Sequence, residues 1–426
     1  MTAISTQNYK GARDFYPEEM RLQHYIFTTW RRVSERYGYA EVMAPILEFT
    51  DLYRAKTGEE IVSEQTYSFK DRGGRDVTIR PEMTPSVARM VAARQQELSF
   101  PLRWYSIPNL WRYERPQHGR LREHWQLNAD IFGLDDTSAE LEIISLAHAL
   151  LLEFGATEDM FSIKLNSREL MSYILGEYLS LQVDAAHRVG KLLDRKSKMS
   201  DEAFINQADA ILGAKLELFL DLIQSSKLHD LPDEVRNSQA ATELAELARA
   251  LHRRGVSNIS FDLTIQRGFD YYTGIVFEIF DTSPENQRSL FGGGRYDDLL
   301  QIFKSPRVPA VGFGVGDVTM ADFLQVHQLV PQLDSATKVA IVALEPEHNE
   351  DALVLADQLR QAQIAVAVDT TERKVGTKIK VADKQAIPYV LVLGPEEVAN
   401  QRYSLKELKT GDEFNGSLEQ VIARLS

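Results

Sequence analysis

Residues 104–133 read Trp-Tyr-Ser-Ile-Pro-Asn-Leu-Trp-Arg-Tyr-Glu-Arg-Pro-Gln-His-Gly-Arg-Leu-Arg-Glu-His-Trp-Gln-Leu-Asn-Ala-Asp-Ile-Phe-Gly. A strand ends in Arg112-Tyr-Glu114, a loop rich in turn residues follows, and a second strand begins near His124. Four arginines lie in or beside this loop, at positions 112, 115, 120 and 122. One explanation is that these arginines belong to an ordinary solvated surface loop. Because the chain as a whole is acidic, however, so much positive charge in one loop favours contact with an anionic ligand.

The second strand of this unit places two polar residues four positions apart. Since successive side chains of a strand alternate between its faces, Gln126 and Asp130 point to the same face. The spacing fits two residues that line a polar pocket, and it also fits two residues on a solvated face.

A second informative stretch, residues 266–278, reads Gln-Arg-Gly-Phe-Asp-Tyr-Tyr-Thr-Gly-Ile-Val-Phe-Glu. Arg267 offers a planar fork of donors suited to phosphate or carboxylate. Tyr271 and Tyr272 combine an apolar ring with a polar tip, as a pocket for a small heteroaromatic ligand requires. The alternative is a β-hairpin with core tyrosines and a surface arginine.

Composition limits the possible classes of protein. The 426 residues suffice for two or three domains, and 44% hydrophobic and 26% charged residues are ordinary for a soluble globular protein. There are no cysteines, which excludes disulfides and thiolate metal sites. We see no signal peptide and no apolar run of membrane-spanning length, so we expect a soluble cytoplasmic protein. The net charge of −14 opposes nucleic-acid binding except through local basic patches.

The N-terminal third contains a helix and then several strands. A helix is expected over roughly Glu18–Tyr37, followed by a strand over Glu41–Leu47. The turn Asp71–Arg75 separates two further strands. The second of these runs into Pro81-Glu82-Met83-Thr84 and a helix, which the Thr84 hydroxyl could cap.

Two glycine-containing runs follow in the second half of the chain. They are Gly292-Gly-Gly-Arg-Tyr-Asp297 and Pro309-Ala-Val-Gly-Phe-Gly-Val-Gly316. Successive glycines allow the backbone to approach a ligand closely. The second run is typical of a strand that enters a helix.

The remaining sequence divides into a helical segment, a linker and a C-terminal region. Residues from about 167 to 255 are predicted to be helical, and residues 325–337 form a linker. Apolar strands at 338–344 and 388–393 alternate with helices at about 347–362 and 374–385, which predicts a small parallel or mixed α/β domain. This region carries a basic patch, which could equally be a solvated helix face: Arg373, Lys374, Lys378, Lys380 and Lys384.

The run Arg267-Gly-Phe-Asp-Tyr-Tyr272 strongly resembles a signature of the histidyl-tRNA synthetases. The first helix with its strand, residues 104–133 and residues 309–320 resemble motifs 1, 2 and 3 of class II synthetases. Residues 391–397 and 403–411 resemble the anticodon-binding domain of that family. The resemblance implies an α+β fold. A class II catalytic domain with an antiparallel sheet would span residues 1–325, with a helical insertion at about 167–255. A linker at 326–336 and an α/β anticodon-binding domain at 337–426 would follow.

The resemblance also implies roles for individual residues. In this family, histidine is bound by the residues that match Glu82, Thr84, Gln126, Asp130, Tyr271 and Tyr272. Asp130 and Tyr272 would meet the two imidazole nitrogens. The ATP-binding positions are Arg112, Glu114, His124 and Arg267. Of these, Arg112 and Arg267 would be catalytic. The tRNA acceptor end would meet Gln117, Arg115, Arg120 and Arg122.

The implied activity is ATP-dependent ligation of histidine to tRNA(His) by a homodimer. ATP would act with Mg²⁺, whose protein ligands stay unidentified, and no tightly bound cofactor is expected. Thr319 stands where motif 3 of the family supplies an arginine near the γ-phosphate, so either another cation serves the phosphates or ATP use has been lost. Two alternatives therefore stay open. They are a histidine-sensing regulatory subunit related to that of ATP phosphoribosyltransferase, and a tRNA-binding paralogue without ligase activity.

Overall fold

The computed structural model describes residues 4–54, 65–116, 119–196, 199–265, 271–286 and 289–426. Within these ranges the backbone contacts separate two units. The first contains the described residues up to Tyr16 and the described part of Gln23–Val330, and the second contains Pro17–Leu22 and Pro331–Ser426. No helix in the described ranges combines the length and apolar character needed to cross a membrane.

An antiparallel sheet forms the centre of the first unit. The strands of this unit are β1 (Ala40–Glu41), β2 (Leu47–Phe49), β3 (Tyr67–Lys70), β4 (Asp76–Ile79), β5 (Leu102–Ser106), β6 (Asn109–Trp111), β7 (Glu123–Phe132), β8 (Phe161–Ser167), β9 (Ile259–Phe261), β10 (Ile275–Asp281), β11 (Ser289–Arg295) and β12 (Ala310–Gly316). Among the described residues, nine strands join in the order β1-β5-β7-β12-β11-β10-β8-β9, with β6 also paired to β7. Every pair from β5 to β8 is antiparallel. The predicted antiparallel sheet is therefore confirmed.

Helices cover this sheet and fill the segment between β8 and β9. The helices before residue 330 are α1 (Pro17–Arg36), α2 (Thr50–Arg54), α3 (Thr84–Arg94), α4 (Ser138–Glu153), α5 (Arg168–Tyr173), α6 (Val183–Asp194), α7 (Asp201–Leu212), α8 (Leu216–Gln224), α9 (Asp233–Arg236), α10 (Gln239–Arg253) and α11 (Asp317–Val326). Helices α7 and α10 start at serine caps, where Ser200 and Ser238 accept from Ala203 N and Ala241 N. The structure thus has helices α5–α10 where the sequence predicted a helical segment.

A separate sheet of three strands, in the order β2-β4-β3, lies beside α2. One of its faces is polar, and at its centre the buried Thr78 of β4 bonds to both Ser68 and Thr50. The side chains of the opposite face are all apolar or aromatic: Leu47, Phe49, Tyr67, Phe69, Val77 and Ile79. Three of them, Leu47, Phe49 and Phe69, are exposed at 44%, 60% and 48%. This set of six side chains is referred to below as the apolar face.

The second unit is a mixed α/β fold. Its strands are β13 (Val339–Ala343), β14 (Val366–Asp369), β15 (Tyr389–Leu393), β16 (Tyr403–Glu407) and β17 (Glu413–Gly416), in the order β14-β13-β15-β16-β17. Its later helices are α12 (Asn349–Gln361), α13 (Val375–Lys384), α14 (Pro395–Asn400) and α15 (Leu418–Leu425). The first three strands pair in parallel and the last two antiparallel. All five residues of β13 are buried, as expected for a central parallel strand covered on both faces.

Three local expectations were wrong. The predicted strand Glu41–Leu47 is interrupted between β1 and β2. The Ala44 carbonyl there accepts from the Arg80 guanidinium at 2.6 Å, and Pro45 has no N–H for a ladder. Thr84 does not cap α3, because it is the first residue of the helix and Met83 occupies the cap position. Lys378 is not part of a solvated patch, because it is buried and donates to the Ala343 and Asp369 carbonyls at 3.1 Å each.

A buried ion pair fixes the end of β11. Arg295 makes two bonds of 2.6 Å to Glu140 of α4, and it also contacts Asp297 at 3.2 Å. Further bonds run to the carbonyls of Leu134 and Asp136. Burial disfavours the guanidinium charge, but the contacts with Glu140 and Asp297 together outweigh burial and raise the pKa of Arg295 above its ordinary value. This network holds Tyr296, the next residue, in place.

We expect Glu140→Gln to destabilise the first unit by about 3–5 kcal/mol, since it leaves a buried guanidinium without its main counter-charge. The four tryptophans, at positions 30, 104, 111 and 125, all belong to this unit, so tryptophan fluorescence during urea unfolding reports its stability. Glu153→Gln, at the other end of α4, removes partly exposed ion pairs and serves as the control. Its effect should be several-fold smaller. Equal losses of stability in the two variants would show that the buried Arg295–Glu140 pair stabilises this unit no more than the partly exposed pairs of Glu153 do.

Candidate functional site

A polar cavity lies over the centre of the large sheet. Its empty space, counted together with the open solvent that it includes, is about 380 Å³. It is lined by Glu82, Thr84, Arg112, Gln126, Asn128, Asp130, Tyr271, Tyr272, Gly292, Tyr296, Gly312, Phe313 and Gly314. The number of polar groups in the lining indicates a ligand that is itself polar at several positions.

Strand β7 supplies the floor of the cavity through alternate residues. Gln126, Asn128 and Asp130 all face inward, because side chains of a strand repeat every two residues. Asn128 was not predicted, although the same alternation that selected Gln126 and Asp130 would have found it. The solvated-face alternative for this strand is therefore wrong.

Glycines of β12 make room for these side chains. A Cβ atom on Gly312 would lie 2.1 Å from Asp130 Oδ1, and one on Gly314 would lie 1.8 Å from Gln126 Nε2. Both separations are far below a van der Waals contact. Glycine is required at both positions because the polar side chains of β7 lie across the neighbouring strand.

Asp130 is a buried carboxyl that accepts a hydrogen bond from the Tyr296 hydroxyl. Burial raises the pKa of Asp130 to about 7, and the bond from Tyr296 counteracts only part of this shift. Tyr296 belongs to the run Gly292–Asp297, whose glycines were identified as candidate ligand contacts while its tyrosine was passed over. The carboxyl is therefore poised to lose its proton when a hydrogen-bond donor or cation arrives in the cavity.

A cluster of tyrosines closes one side of the cavity. The rings of Tyr271 and Tyr272 lie 5.0 Å apart, and each packs against Tyr296 at 5.7 and 6.5 Å. The Tyr271 hydroxyl donates to Glu82 Oε2 at 3.1 Å and also bonds to Thr84. Burial and the neighbouring Glu82 raise the pKa of Tyr271 well above its usual value, so it stays protonated. Glu82 and Thr84 thus present a carboxylate and a hydroxyl beside an aromatic wall.

Arg112 brings positive charge to the cavity. It follows β6, and its Nε donates to the Pro81 carbonyl at 2.8 Å, which ties the guanidinium to the segment that carries Glu82. The cavity is consequently bipolar, with carboxyl groups from Glu82 and Asp130 and a guanidinium from Arg112. A ligand with both an ammonium and an anionic group would match it.

His124 lies on β7 on the same face as Gln126 and next to the basic loop. Burial, and then the charges of Arg112, Arg13 and Arg120, lower the pKa of His124 to about 3. The imidazole is therefore neutral at physiological pH. It can stack on a ring or accept a hydrogen bond without adding charge to a basic environment.

The loop arginines differ in their surroundings. Arg122 is held by two contacts within its own loop. Its Nε donates to the Glu114 carbonyl, and its guanidinium lies 4.1 Å from the centre of the Tyr113 ring. Arg120 is exposed and pairs with the Glu114 carboxylate at 3.0 Å, while Arg115 is exposed. Two predicted residues, Gln117 and Arg267, lie outside the described residues. Within the described ranges no group of three or more histidine, aspartate or glutamate side chains could hold a metal ion.

Comparison with known proteins gives consistent matches over the chain. A family model for histidyl-tRNA synthetases matches residues 11–317, and one for an anticodon-binding domain matches residues 338–426. Among curated relatives, a histidine–tRNA ligase of Leptospira biflexa is 43% identical over 99% of this chain and 98% of its own. One of Thermoplasma volcanium is 36% identical, with 96% of each chain covered. The crystal structure of histidyl-tRNA synthetase from Nostoc sp. PCC 7120 shares the fold, with a TM-score of 0.83, 22% identity and 99% coverage of both chains.

The raised pKa of Asp130 predicts a specific dependence of stability on pH in the ligand-free protein. An aspartate whose pKa rises on folding binds its proton more tightly in the folded state, so its stabilising effect is complete at low pH. That effect is lost as pH rises from about 4 to the folded pKa of about 7. Asp130→Asn cannot titrate. The native protein should therefore lose stability relative to Asp130→Asn across this window, by on the order of 4 kcal/mol.

The measurement is urea unfolding followed by tryptophan fluorescence at several pH values. A constant difference between native protein and Asp130→Asn from pH 4 to pH 8 would contradict the raised pKa. Asp135→Asn, at an exposed aspartate, is the control and should follow the native curve.

Proposed function

The chain belongs to the histidyl-tRNA synthetase family, and we propose that the polar cavity over β7 and β12 is its site of histidine activation. The enzyme is an ATP-dependent histidine–tRNA ligase. In the first step a histidine carboxylate oxygen attacks the α-phosphorus of ATP, and the bond from that phosphorus to pyrophosphate breaks. A terminal ribose hydroxyl of tRNA(His) then attacks the histidyl carbonyl carbon, and AMP leaves.

The observation that carries the assignment of the site is the bipolar cavity itself. Histidine has an ammonium, a carboxylate and an imidazole, and the cavity offers groups for each. We assign the ammonium to Glu82, Thr84 and Gln126, because a carboxylate, a hydroxyl and an amide oxygen match its three donors. The carboxylate would then face Arg112, where it meets the α-phosphate.

The imidazole would lie between Asp130 and Tyr272, with Tyr271 behind it. Asp130 ionises near neutral pH, so its carboxylate can accept from a ring N–H. Tyr296 orients that carboxyl. A site built on such buried bonds can reject analogues that lack the ring nitrogens by ~10⁴-fold, because the unmatched groups would stay buried without partners.

Catalysis would rest on positioning and on fixed positive charge. We propose that Arg112 and Arg267 stabilise the charge that develops at the α-phosphate, while Glu114 and the neutral His124 contact the adenine side of ATP. Mg²⁺ would arrive with ATP on the phosphate oxygens. Loss of one such guanidinium would lower the rate by ~10²–10³-fold.

We assign tRNA contacts to two regions. Near the cavity, Arg115 and Arg120 are exposed, and Gln117 lies between them in the sequence; Arg122 would position this loop. In the C-terminal part, Arg373, Lys374, Lys380 and Lys384 are exposed on and beside α13. We propose a catalytic domain at 1–325 with its helical insertion, a linker at 326–336 and an anticodon-binding domain at 337–426. A cytoplasmic location would follow from the role of tRNA charging in protein synthesis.

The regulatory-subunit alternative is not favoured. Relatives that match nearly the full length of the chain are named histidine–tRNA ligase, and the anticodon-binding family model matches residues 338–426. A protein that only sensed histidine would need no tRNA-reading domain. The paralogue without ligase activity is separated from the enzyme by the following experiment.

Histidine-dependent exchange of labelled pyrophosphate into ATP measures the first step directly. We expect robust exchange by the native protein. Glu82→Gln should raise the KM for histidine by about 10- to 100-fold, since a hydrogen bond to a charged group contributes roughly 1.5–3 kcal/mol, and should leave the KM for ATP almost unchanged. Glu123→Gln, on the opposite face of β7, is the control. Absence of exchange in the native protein would refute the ligase function, and an equal effect on both substrates would refute the role of Glu82.

We further propose that the apolar face is part of a homodimer interface. Three large side chains there are about half exposed, and Met43 and Ile46 add exposure of 52% and 45% next to β2. Contiguous exposed apolar surface of this kind marks interaction sites. It adjoins the helix and strand that resemble motif 1, the dimerisation motif of class II synthetases, so a second copy of the chain is the expected occupant.

Phe49→Asp should therefore convert the dimer to a monomer, because a carboxylate would be buried at the centre of the interface without a partner. Sedimentation velocity measures the change. Leu218→Asp, at an exposed leucine of α8, is the matched control and should stay dimeric. If the native protein sediments as a monomer, or if Phe49→Asp stays a dimer, the apolar face is not the interface.

A further inference from the structure

The segment of residues 9–15 is bound along the start of β7. The Gly11 carbonyl accepts from the backbone N–H groups of Arg122 and Glu123 at 2.9 and 3.1 Å. Gly11 has φ +87°, and a Cβ there would lie 2.8 Å from Arg122 Cγ, so the close approach requires glycine. Further along, the Phe15 ring packs edge-on against Trp125 at 5.4 Å. The N-terminal segment is thus an integral part of the site around His124.

Arg13 connects this segment to the first turn of α11. Its guanidinium donates to Asp317 Oδ2 at 2.6 Å, and the other oxygen of Asp317 accepts from the Trp125 N–H at 2.9 Å. Asp317 is buried and is the first residue of α11. The aspartate therefore fixes a guanidinium against the strand that carries His124.

Thr319 occupies the same helical turn without supplying a charge. Its hydroxyl donates to the Gly316 carbonyl at 3.1 Å, so it satisfies a local backbone acceptor. At the junction of β12 and α11, the positive charge comes instead from Arg13, which lies some three hundred residues away in the sequence.

The surroundings of Arg13 favour the binding of an anion. Burial, and then the charges of Arg112, Arg13 and Arg120, lower the pKa of His124, so the surroundings of this neutral imidazole are positively charged. Asp317 engages one terminal nitrogen of Arg13, while the Nε atom is buried and has no hydrogen-bond partner among the described residues. A buried donor without a partner is costly unless a ligand satisfies it.

We propose that Arg13, held by Asp317, binds the terminal phosphates of ATP and takes the place of the arginine that Thr319 replaces. Arg112 lines the histidine cavity and Arg13 does not, so Arg13 would bind a part of the substrates that lies outside that cavity. In ATP the phosphates farther from the reacting carboxylate than the α-phosphate are the β- and γ-phosphates. The inference rests on the proposed function of the cavity in adenylate formation, and it concerns a substrate-binding residue outside the three class II motifs.

The competing explanation is a purely structural ion pair that holds the N-terminal segment on β7. The two explanations differ in which nucleotide they affect. A structural defect would weaken ATP and AMP binding alike, whereas loss of a contact to the terminal phosphates would weaken ATP binding and leave AMP binding intact.

The test is calorimetric titration of the full-length protein with ATP, AMP and histidine. We expect Arg13→Gln to weaken ATP binding by about 10- to 100-fold while AMP and histidine affinities stay within about twofold. Arg13→Lys should recover part of the ATP affinity, since it restores charge without the planar fork. An equal loss for ATP and AMP, or no loss for either, would overturn the proposal.

Asp317→Asn supplies a second comparison that does not depend on removing Arg13. It removes the carboxylate that positions Arg13 but leaves the guanidinium, so ATP binding should weaken less than in Arg13→Gln, while AMP and histidine affinities stay unchanged. An equal loss of ATP and AMP affinity in Asp317→Asn would assign the ion pair a structural role only, and an unchanged ATP affinity would overturn the positioning role of Asp317. Native protein that binds neither ATP nor histidine would refute the proposed function itself, an outcome distinct from failure at Arg13 alone.

Discussion

The pairing of β7 with β12 is the constraint on which the rest of the site depends. Its register places Gly312 opposite Asp130 and Gly314 opposite Asn128, and the long polar side chains of β7 lie over the glycines. A slip of one residue would turn Gln126 and Asp130 to the other face of the sheet and bring Phe313 or Val315 against them. Packing in the sheet and chemistry in the cavity are therefore set by the same ladder of hydrogen bonds.

The cavity holds carboxyl and hydroxyl groups away from water, where they interact with each other instead of with solvent. Asp130 is buried beside a tyrosine hydroxyl instead of a cation, and Tyr271 donates to Glu82 in a wall of aromatic rings. The Arg295–Glu140 pair behind β11 makes this possible, because it holds Tyr296 rigidly enough to orient Asp130. The cost of removing these groups from water is thus met during folding. A ligand that complements them then binds to a preorganised site and avoids ordering a flexible one.

Much of this could be read from periodicity and turn chemistry. Alternation along β7 correctly placed Gln126 and Asp130 on one face, and the run Pro309–Gly316 was correctly predicted to be a strand that enters a helix. The failures share a cause, which is competition from partners distant in sequence. Arg80 takes the carbonyl of Ala44 and interrupts a predicted strand, and Lys378 turns inward to two carbonyls although its neighbours on the helix are solvated. The bond from Tyr296 to Asp130 was likewise invisible, because nothing local relates residues 166 positions apart.

The same reasoning explains why a missing motif residue does not imply a missing function. A sequence motif records residues at fixed local spacing, whereas phosphate binding requires only that positive charge lie at the right point in space. At the end of β12 the local position holds Thr319, which bonds to its own backbone, while Asp317 in the same turn retains a guanidinium from the N-terminal segment. Burial by itself raises the pKa of Asp317 and favours the neutral acid. The charge of Arg13 acts in the opposite direction and favours the ionised carboxylate. Thr319, Asp317 and Arg13 therefore form one unit. In this unit the positive charge comes from the N-terminal segment instead of α11, and Asp317 holds that charge in position.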